Sequence, residues 1–307
     1  MSGNADAPDV DGILRHHGLH APWSPLPSTG VANRVYATAA VVVRVARAEA
    51  EAYADAHTEW VAAPIAHAAG VLSPRLLAYD EAGRFAATPY SIWQRVDGEA
   101  LGLVARRTAI PAATWRALGG ELARLHVEVR ACPDPHGWLD SPSLGEPQPA
   151  LATLATRGRL DAQWVRALER WLHRLAPLIA TTAPAARFVH DDLHEMNLMC
   201  RADGTLTALI DWGDAGWGDP ALDFAALPVV GMEDALAAYE AVAPGLLGDG
   251  VEARILWARL TGALERLVWN ARRDGKLREL ARFSAAPPPR WRPFVDALPP
   301  EASLSSR

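Results

Sequence analysis

The spacing of hydrophobic positions changes once along the chain. Val35 to Val45 is β-branched and apolar and contains the run Val41-Val42-Val43-Arg44-Val45, which is strand composition. Leu76 to Tyr79 and Ala87 to Val96 predict two further strands, separated by a turn at Asp80-Glu81-Ala82-Gly83. Before them, Thr58 to Ala69 reads as a short helix, with Thr58 as its N-cap, Pro64 as a kink and Gly70 as its stop. From Pro111 the period turns helical. Trp115, Leu118, Leu122, Leu125 and Val129 form one apolar stripe; Trp164, Leu168, Trp171, Leu172, Leu175 and Ile179 form another. A third helix is predicted over Val251 to Arg272, and the Pro/Gly/Ser-rich stretch from Cys132 to Pro149 is a loop. The Pro-rich tail from Ala285 is expected to fray at its end. The pattern is that of an α+β chain, with a small β-rich lobe over 1–96 and a larger helical lobe over 97–307. A hinge is expected near Gln94 to Gly98.

Composition narrows the function. Half of the 307 residues are hydrophobic, enough for a sizeable core, and the formal net charge is −6. A mildly acidic chain is a poor nucleic-acid binder, which needs a basic face, so no nucleic-acid partner is expected. No apolar run is long enough to cross a bilayer, and Met1 to Asp11 has neither the basic nor the apolar region of a signal peptide. Cys132 and Cys200 lie far apart with no metal-binding spacing, as in a reduced cytoplasmic setting. The expectation is a cytoplasmic protein with no membrane partner, monomeric or homodimeric. The 12 tryptophans outnumber phenylalanine and tyrosine combined, and most sit at helical spacing, as core residues do.

The candidate chemistry is concentrated between Phe188 and Trp212. An apolar pair, Phe188-Val189, leads into the polar run His190-Asp191-Asp192-Leu193-His194-Glu195-Met196-Asn197. A second apolar patch at Leu198-Met199, a turn at Ala202-Asp203-Gly204 and a third apolar stretch from Leu206 lead to Ile210-Asp211-Trp212. Two strands joined by a tight turn would bring Asp192, Asn197 and Asp211 to one end of a hairpin. Two carboxylates and an amide oxygen there suit Mg²⁺.

This spacing resembles the catalytic loop of the protein-kinase-like fold. The fuller resemblance is to the aminoglycoside phosphotransferase and choline kinase-like family, whose loop reads H-G-D-L-H-x-x-N and whose second motif is I-D-W/F. Gly218-Asp219-Pro220-Ala221-Leu222-Asp223-Phe224-Ala225 is similar to the family's G-D-P-x-x-D-L-A, and Leu122 to His126 to its L-A-x-L-H helix. The chain departs from the family in having Asp191 where Gly is usual and Arg44 where Lys is usual.

The resemblance implies a two-lobed kinase-like fold and a Mg²⁺-dependent transfer of the γ-phosphate of ATP or GTP to a hydroxyl of an antibiotic, aminoglycoside-like or macrolide-like, or of a small metabolite. It implies Asp192 as the residue orienting the hydroxyl and Asn197 and Asp211 as metal ligands. For the nucleotide it implies the loop from Ser28, Thr29 and Gly30 to Asn33, with Arg44 on the phosphates, Glu59 paired to Arg44, and the backbone from Gln94 to Val96 at the base. His190 and Asp219 are expected to support the loop, Asp219 through its backbone. Asp191 is expected to point away from Asp192, as neighbours in an extended segment do. The acceptor side stays open. Asp214 faces either substrate or solvent; Trp257 and Trp269 are either core or platforms for a sugar or cation; Glu233, Asp234, Glu240 and Glu265 either bind an amino group or are surface charge. A non-catalytic kinase-fold protein that binds nucleotide or ligand is the alternative function, which the joint presence of Asp192, Asn197 and Asp211 disfavours.

Overall fold

In the computed structural model, residues 7–27, 32–81, 83–181, 184–270 and 274–304 are described. The chain opens with a short helix, α1 (Val10–His16), and then builds an antiparallel sheet. Its strands are β1 (Ser24–Pro25), β2 (Asn33–Ala37), β3 (Val41–Ala46), β4 (Leu76–Asp80) and β5 (Tyr90–Gln94), in the order β1-β2-β3-β5-β4. The apolar stretch Val35 to Val45 is therefore two strands. It breaks at Thr38, whose hydroxyl accepts from the amides of Ala40 (3.1 Å) and Val41 (3.0 Å) and turns the chain back on itself. Val41, Val43, Val45, Tyr90 and Ile92 pack with Val10, Ile13 and Leu14 of α1 into a small core of their own.

The helix crossing this sheet, α2 (Ala50–Ala68), begins eight residues before the predicted start. The alanines and acidic residues from Ala50 to Ala56 are adequate helix formers, so the helix does not need Thr58 as a cap. Thr58 is instead buried mid-helix and donates to the Trp138 carbonyl at 2.5 Å. Gly70 ends the helix at φ +81°, the left-handed conformation expected there.

The larger lobe holds β6 (Glu99–Ala100), α3 (Leu101–Ala105), α4 (Ala112–Glu128), α5 (Pro147–Thr156), α6 (Ala162–Thr181), β7 (Arg187–Val189), β8 (Leu198–Cys200), β9 (Leu206–Leu209) and β10 (Gly216–Gly218). After these come α7 (Leu222–Ala225), α8 (Val229–Val242), α9 (Val251–Trp269) and α10 (Gly275–Ala285). Helices α4 and α8 pack closely because two glycines allow it. A Cβ at Gly119 would sit 2.1 Å from the Ala235 carbonyl, and one at Gly231 the same distance from the Trp115 ring.

Four helices differ from expectation. The spacing does not predict α1, α8 or α10, and α5 begins inside the Pro/Gly/Ser-rich stretch that reads as loop. The tail packs against the helical lobe as far as residue 304, and the expected fraying at its end falls on 305–307, outside the described residues. Trp291, Val295, Leu298 and Leu304 are buried, and the indoles of Trp171 and Trp164 donate to Asp296 O and Ser303 Oγ, each at 2.9 Å.

Candidate active site

Strand β7 pairs with β10 and delivers the polar run 190–197; β8 and β9 form the hairpin that follows, turning at Gly204 with φ +86°. The Ile210 amide donates to the Asn197 carbonyl at 3.0 Å, so the end of the run and the segment carrying Asp211 lie side by side. Asp192, Asn197 and Asp211 thus come together as predicted.

Asn197 is buried, and its amide nitrogen donates to both the backbone oxygen (2.8 Å) and Oδ2 (2.9 Å) of Asp192. This locks the loop and leaves the Asn197 side-chain oxygen for another partner. Burial pushes the Asp192 carboxyl up to about 7, against the opposing charge of Arg266, whose Nη2 is 3.8 Å from Oδ1. His194 Nε2 stands 3.5 Å from Asp192 Oδ2. His190 is fully buried against Trp212, its Nε2 donates to the Ile210 carbonyl at 3.0 Å, and burial holds its pKa down, so it spans the loop as a neutral ring.

Two expectations about this loop fail. Asp191 does not point away: it takes φ +63° and lines the same cleft as Asp192, because a left-handed residue breaks the alternation of an extended segment. Burial and the nearby charges of Asp223, Asp214 and Asp192 push it up to about 8. The left-handed backbone also explains why glycine is usual at this position in the family pattern. Asp219 does not hold the loop backbone either. Its Oδ2 lies 2.8 Å from Arg254 Nε and its Oδ1 accepts from the Ala221 amide. Asp223 takes the role expected of Asp219, accepting from the amides of His190 and Asp191 at 2.9 Å each while its other oxygen meets His126 Nε2 at 2.9 Å. The motif carried both acids; it did not say which one reaches the loop. His126, in the L-A-x-L-H helix, is the buried link from Asp223 to Tyr239.

Across the cleft, Arg44 on β3 bridges Glu59 on α2 and Asp211, with Nη2 at 2.6 Å from Asp211 Oδ1. Burial pushes Glu59 up to about 7 against the pull of Arg44, while the Arg44 guanidinium holds Asp211 below the usual carboxylate range. Asn33 begins β2, buried opposite Ala46. Ser28, Thr29 and Gly30 lie outside the described residues. The backbone near the expected base site is partly committed: the amides of Gln94 and Arg95 donate to the carbonyls of Arg75 (2.9 Å) and Ala40 (2.8 Å). Gln94 therefore does not offer a free N–H, because β5 and its flanks use it; Val96 follows, half-buried.

The donor set fits Mg²⁺. Asn197 Oδ1 and the Asp211 carboxylate are hard oxygens on neighbouring segments, and no group of three or more His, Cys, Asp or Glu side chains among the described residues is arranged to hold a metal. Two protein oxygens suit an ion that keeps waters and takes its remaining ligands from phosphates.

A cleft of about 520 Å³ opens beside Asp192. Asp214 and Glu265 line it, and Asp214 is at the same time exposed to solvent. Trp257 and Trp269 do not. Trp257 is buried and its indole donates to the Gly145 carbonyl, while Trp269 is 67% exposed at the end of α9. Glu233, Asp234 and Glu240 are engaged elsewhere, with Trp291, Arg116 and Arg290. Arg266 and Lys276 also stand on the cleft wall, at positions that no motif marks. Arg266 follows Arg259 by seven residues on the same face of α9, but nothing in the sequence separates it from a solvated arginine.

The profile of the phosphotransferase enzyme family matches residues 24–259. The chain belongs to that family. The viomycin phosphotransferase of Streptomyces vinaceus is 35% identical over 116 residues, which is 37% of this chain and 40% of that enzyme, so the chain matches less than half the length of this relative. A choline/ethanolamine kinase family protein of Mesorhizobium loti superposes with a TM-score of 0.61 at 19% identity, covering 92% of both chains. The GDP complex of aminoglycoside 2'-phosphotransferase-IIIa superposes with a TM-score of 0.65 at 17% identity, covering 88% of this chain and 95% of the other. The family member has the two-lobed, protein-kinase-like α+β fold.

Proposed function

We propose that the protein is a small-molecule kinase that transfers the γ-phosphate of ATP or GTP to an acceptor hydroxyl in the cleft beside Asp192. The observation that carries this reading is the meeting of Asp192 and Asn197 from one loop with an Asp211 that Arg44 ties to the opposite lobe. A protein that only binds has no need of a half-buried carboxylate beside an acceptor cleft. The donor is a nucleoside triphosphate because the cleft between β3, α2 and Asp211 carries a cation for its phosphates, and a superposable family relative holds GDP.

Phosphoryl transfer asks the protein mainly for positioning and charge. The Asp192 carboxylate accepts a hydrogen bond from the acceptor hydroxyl and aims its oxygen at the γ-phosphorus. The new O–P bond forms as the bond from that phosphorus to the bridging oxygen breaks; the electron pair leaves with the nucleoside diphosphate, and the hydroxyl proton passes to Asp192. Mg²⁺, held by Asn197 and Asp211, would neutralise charge on the phosphates. Arg44 binds the phosphates, steadied by Glu59. His190 and Asp223 keep the loop in place.

Incubation with ATP or GTP, Mg²⁺ and a panel of hydroxylated antibiotics and metabolites tests this. Viomycin and aminoglycosides come first, given the relatives. A phosphate ester formed by the wild type and not by Asp192→Ala supports the reading. Nucleotide binding with no transfer to any acceptor would favour the binding protein instead.

A further inference from the structure

Two sets of charged side chains line the acceptor cleft, a basic pole of Arg259, Arg266 and Lys276 and an acidic pole of Asp191, Asp192, Asp214 and Glu265. Burial, and the nearby charge of Arg266, lower the affinity of Arg259 and Lys276 for protons. Arg259 and Lys276 share Glu279, at 2.7 and 3.6 Å, and Lys276 has Glu195 at 3.9 Å. Arg266 has a single ionic partner among the described residues, Asp192, and at 3.8 Å that contact is loose; its side chain is 40% exposed. In the acidic set, Asp191 feels the charges of Asp214 and Asp140, Asp214 feels Asp140, and neither Asp191 nor Asp214 has a cation in ion-pair range among the described residues. Arg266 acts on both Asp192 and Asp214, and so links the two sets.

A polycationic amino sugar meets the acidic pole well and the basic pole badly. The cations Arg266 and Lys276 would repel it beside the very carboxylate that must align its hydroxyl. A purely anionic alcohol has the converse difficulty with Asp214. An acceptor with an ammonium on one side of its hydroxyl and a carboxylate on the other meets both.

We infer that the cleft selects a zwitterionic alcohol, a hydroxylated amino acid or short peptide, with Arg266 and Lys276 binding its carboxylate and Asp214 its ammonium. This rests on the phosphotransferase reading above and names its acceptor class. The cleft, of about 520 Å³, has room for either a hydroxylated amino acid or a short peptide. Arg266, with its planar fork, is the specificity-determining cation, since Lys276 is already shared with two glutamates.

The test uses hydroxylated amino acids and dipeptides with free termini, the same compounds as carboxamides and as N-acetyl forms, and kanamycin. Calorimetric affinity and kcat/KM are measured on wild type, Arg266→Glu, Arg266→Lys and Asp214→Asn. The expected result is a preference of about tenfold or more for the free zwitterion over either capped form. Arg266→Glu turns the carboxylate preference into a preference for the carboxamide, an outcome that misfolding cannot produce, and Arg266→Lys keeps most of it. Asp214→Asn weakens the ammonium preference. Equal or better use of kanamycin or the carboxamides by wild type, or an unchanged carboxylate preference in Arg266→Glu, overturns the inference and leaves the kinase reading standing. Tight zwitterion binding with no phosphoryl transfer overturns the kinase reading and supports the charge recognition. Neither binding nor transfer with any zwitterion overturns the acceptor class outright.

Discussion

Arg44 Nη2 and Asp211 Oδ1 lie 2.6 Å apart across 167 residues of chain, joining a strand of the small lobe to the loop that follows β9 in the large one. The same guanidinium reaches Glu59, so a single cation serves two buried or half-buried carboxylates from different elements.

That arrangement makes Arg44 a stability residue as well as a ligand for phosphates. Arg44→Ala leaves Glu59 buried and uncompensated, and is expected to cost about 3 kcal/mol in urea unfolding. Arg44→Met with Glu59→Leu should recover much of that stability while nucleotide affinity stays lost. Arg44→Lys should fall between, because a point charge cannot serve both carboxylates as a fork does.

Asp192→Asn keeps the shape of the loop, including its contact with Asn197, but removes the carboxylate facing the acceptor. A fall of about a thousandfold in kcat, with nucleotide affinity within about twofold of wild type, is the expected outcome in steady-state kinetics and nucleotide titration.

Asp223, fully buried, accepts from two loop amides and from the buried His126. Asp223→Ala is expected to lower stability by about 3 kcal/mol or more and to abolish activity without touching substrate. Asp219→Ala, which spares the loop amides, should leave the loop's amide exchange unchanged. Hydrogen exchange at His190 and Asp191 separates the two acids.

Asp191 adopts a left-handed backbone and holds a carboxyl raised to about 8. Below the ordinary carboxylate value of about 4 both folded and unfolded chains are protonated there. As pH rises toward 8 the unfolded chain ionises first, so this residue costs the fold progressively more stability over that window. Asp191→Gly should therefore be more stable than wild type, with a gain of about 1 kcal/mol from the backbone and a further gain that grows between about pH 4 and pH 8. Urea unfolding across that range checks it; a pH-independent difference would refute the electrostatic part.

The chain's own residues determined the order of the elements and the contents of the site. A run of β-branched residues followed by helical stripes is enough for an α+β chain, and short-range spacing placed Asp192, Asn197 and Asp211 on adjacent segments, because one hairpin brings together what it joins. Tertiary structure alone decided which of Asp219 and Asp223 reaches the loop, since both sit in one short motif and differ only in the direction each faces. It decided that Asp191 enters the cleft, because a backbone angle, not alternation, aims that side chain. It also decided that Trp257 is core while Arg266 meets Asp192. Those outcomes depend on how α9 is rotated against loops far away in sequence, and local periodicity holds no record of that rotation.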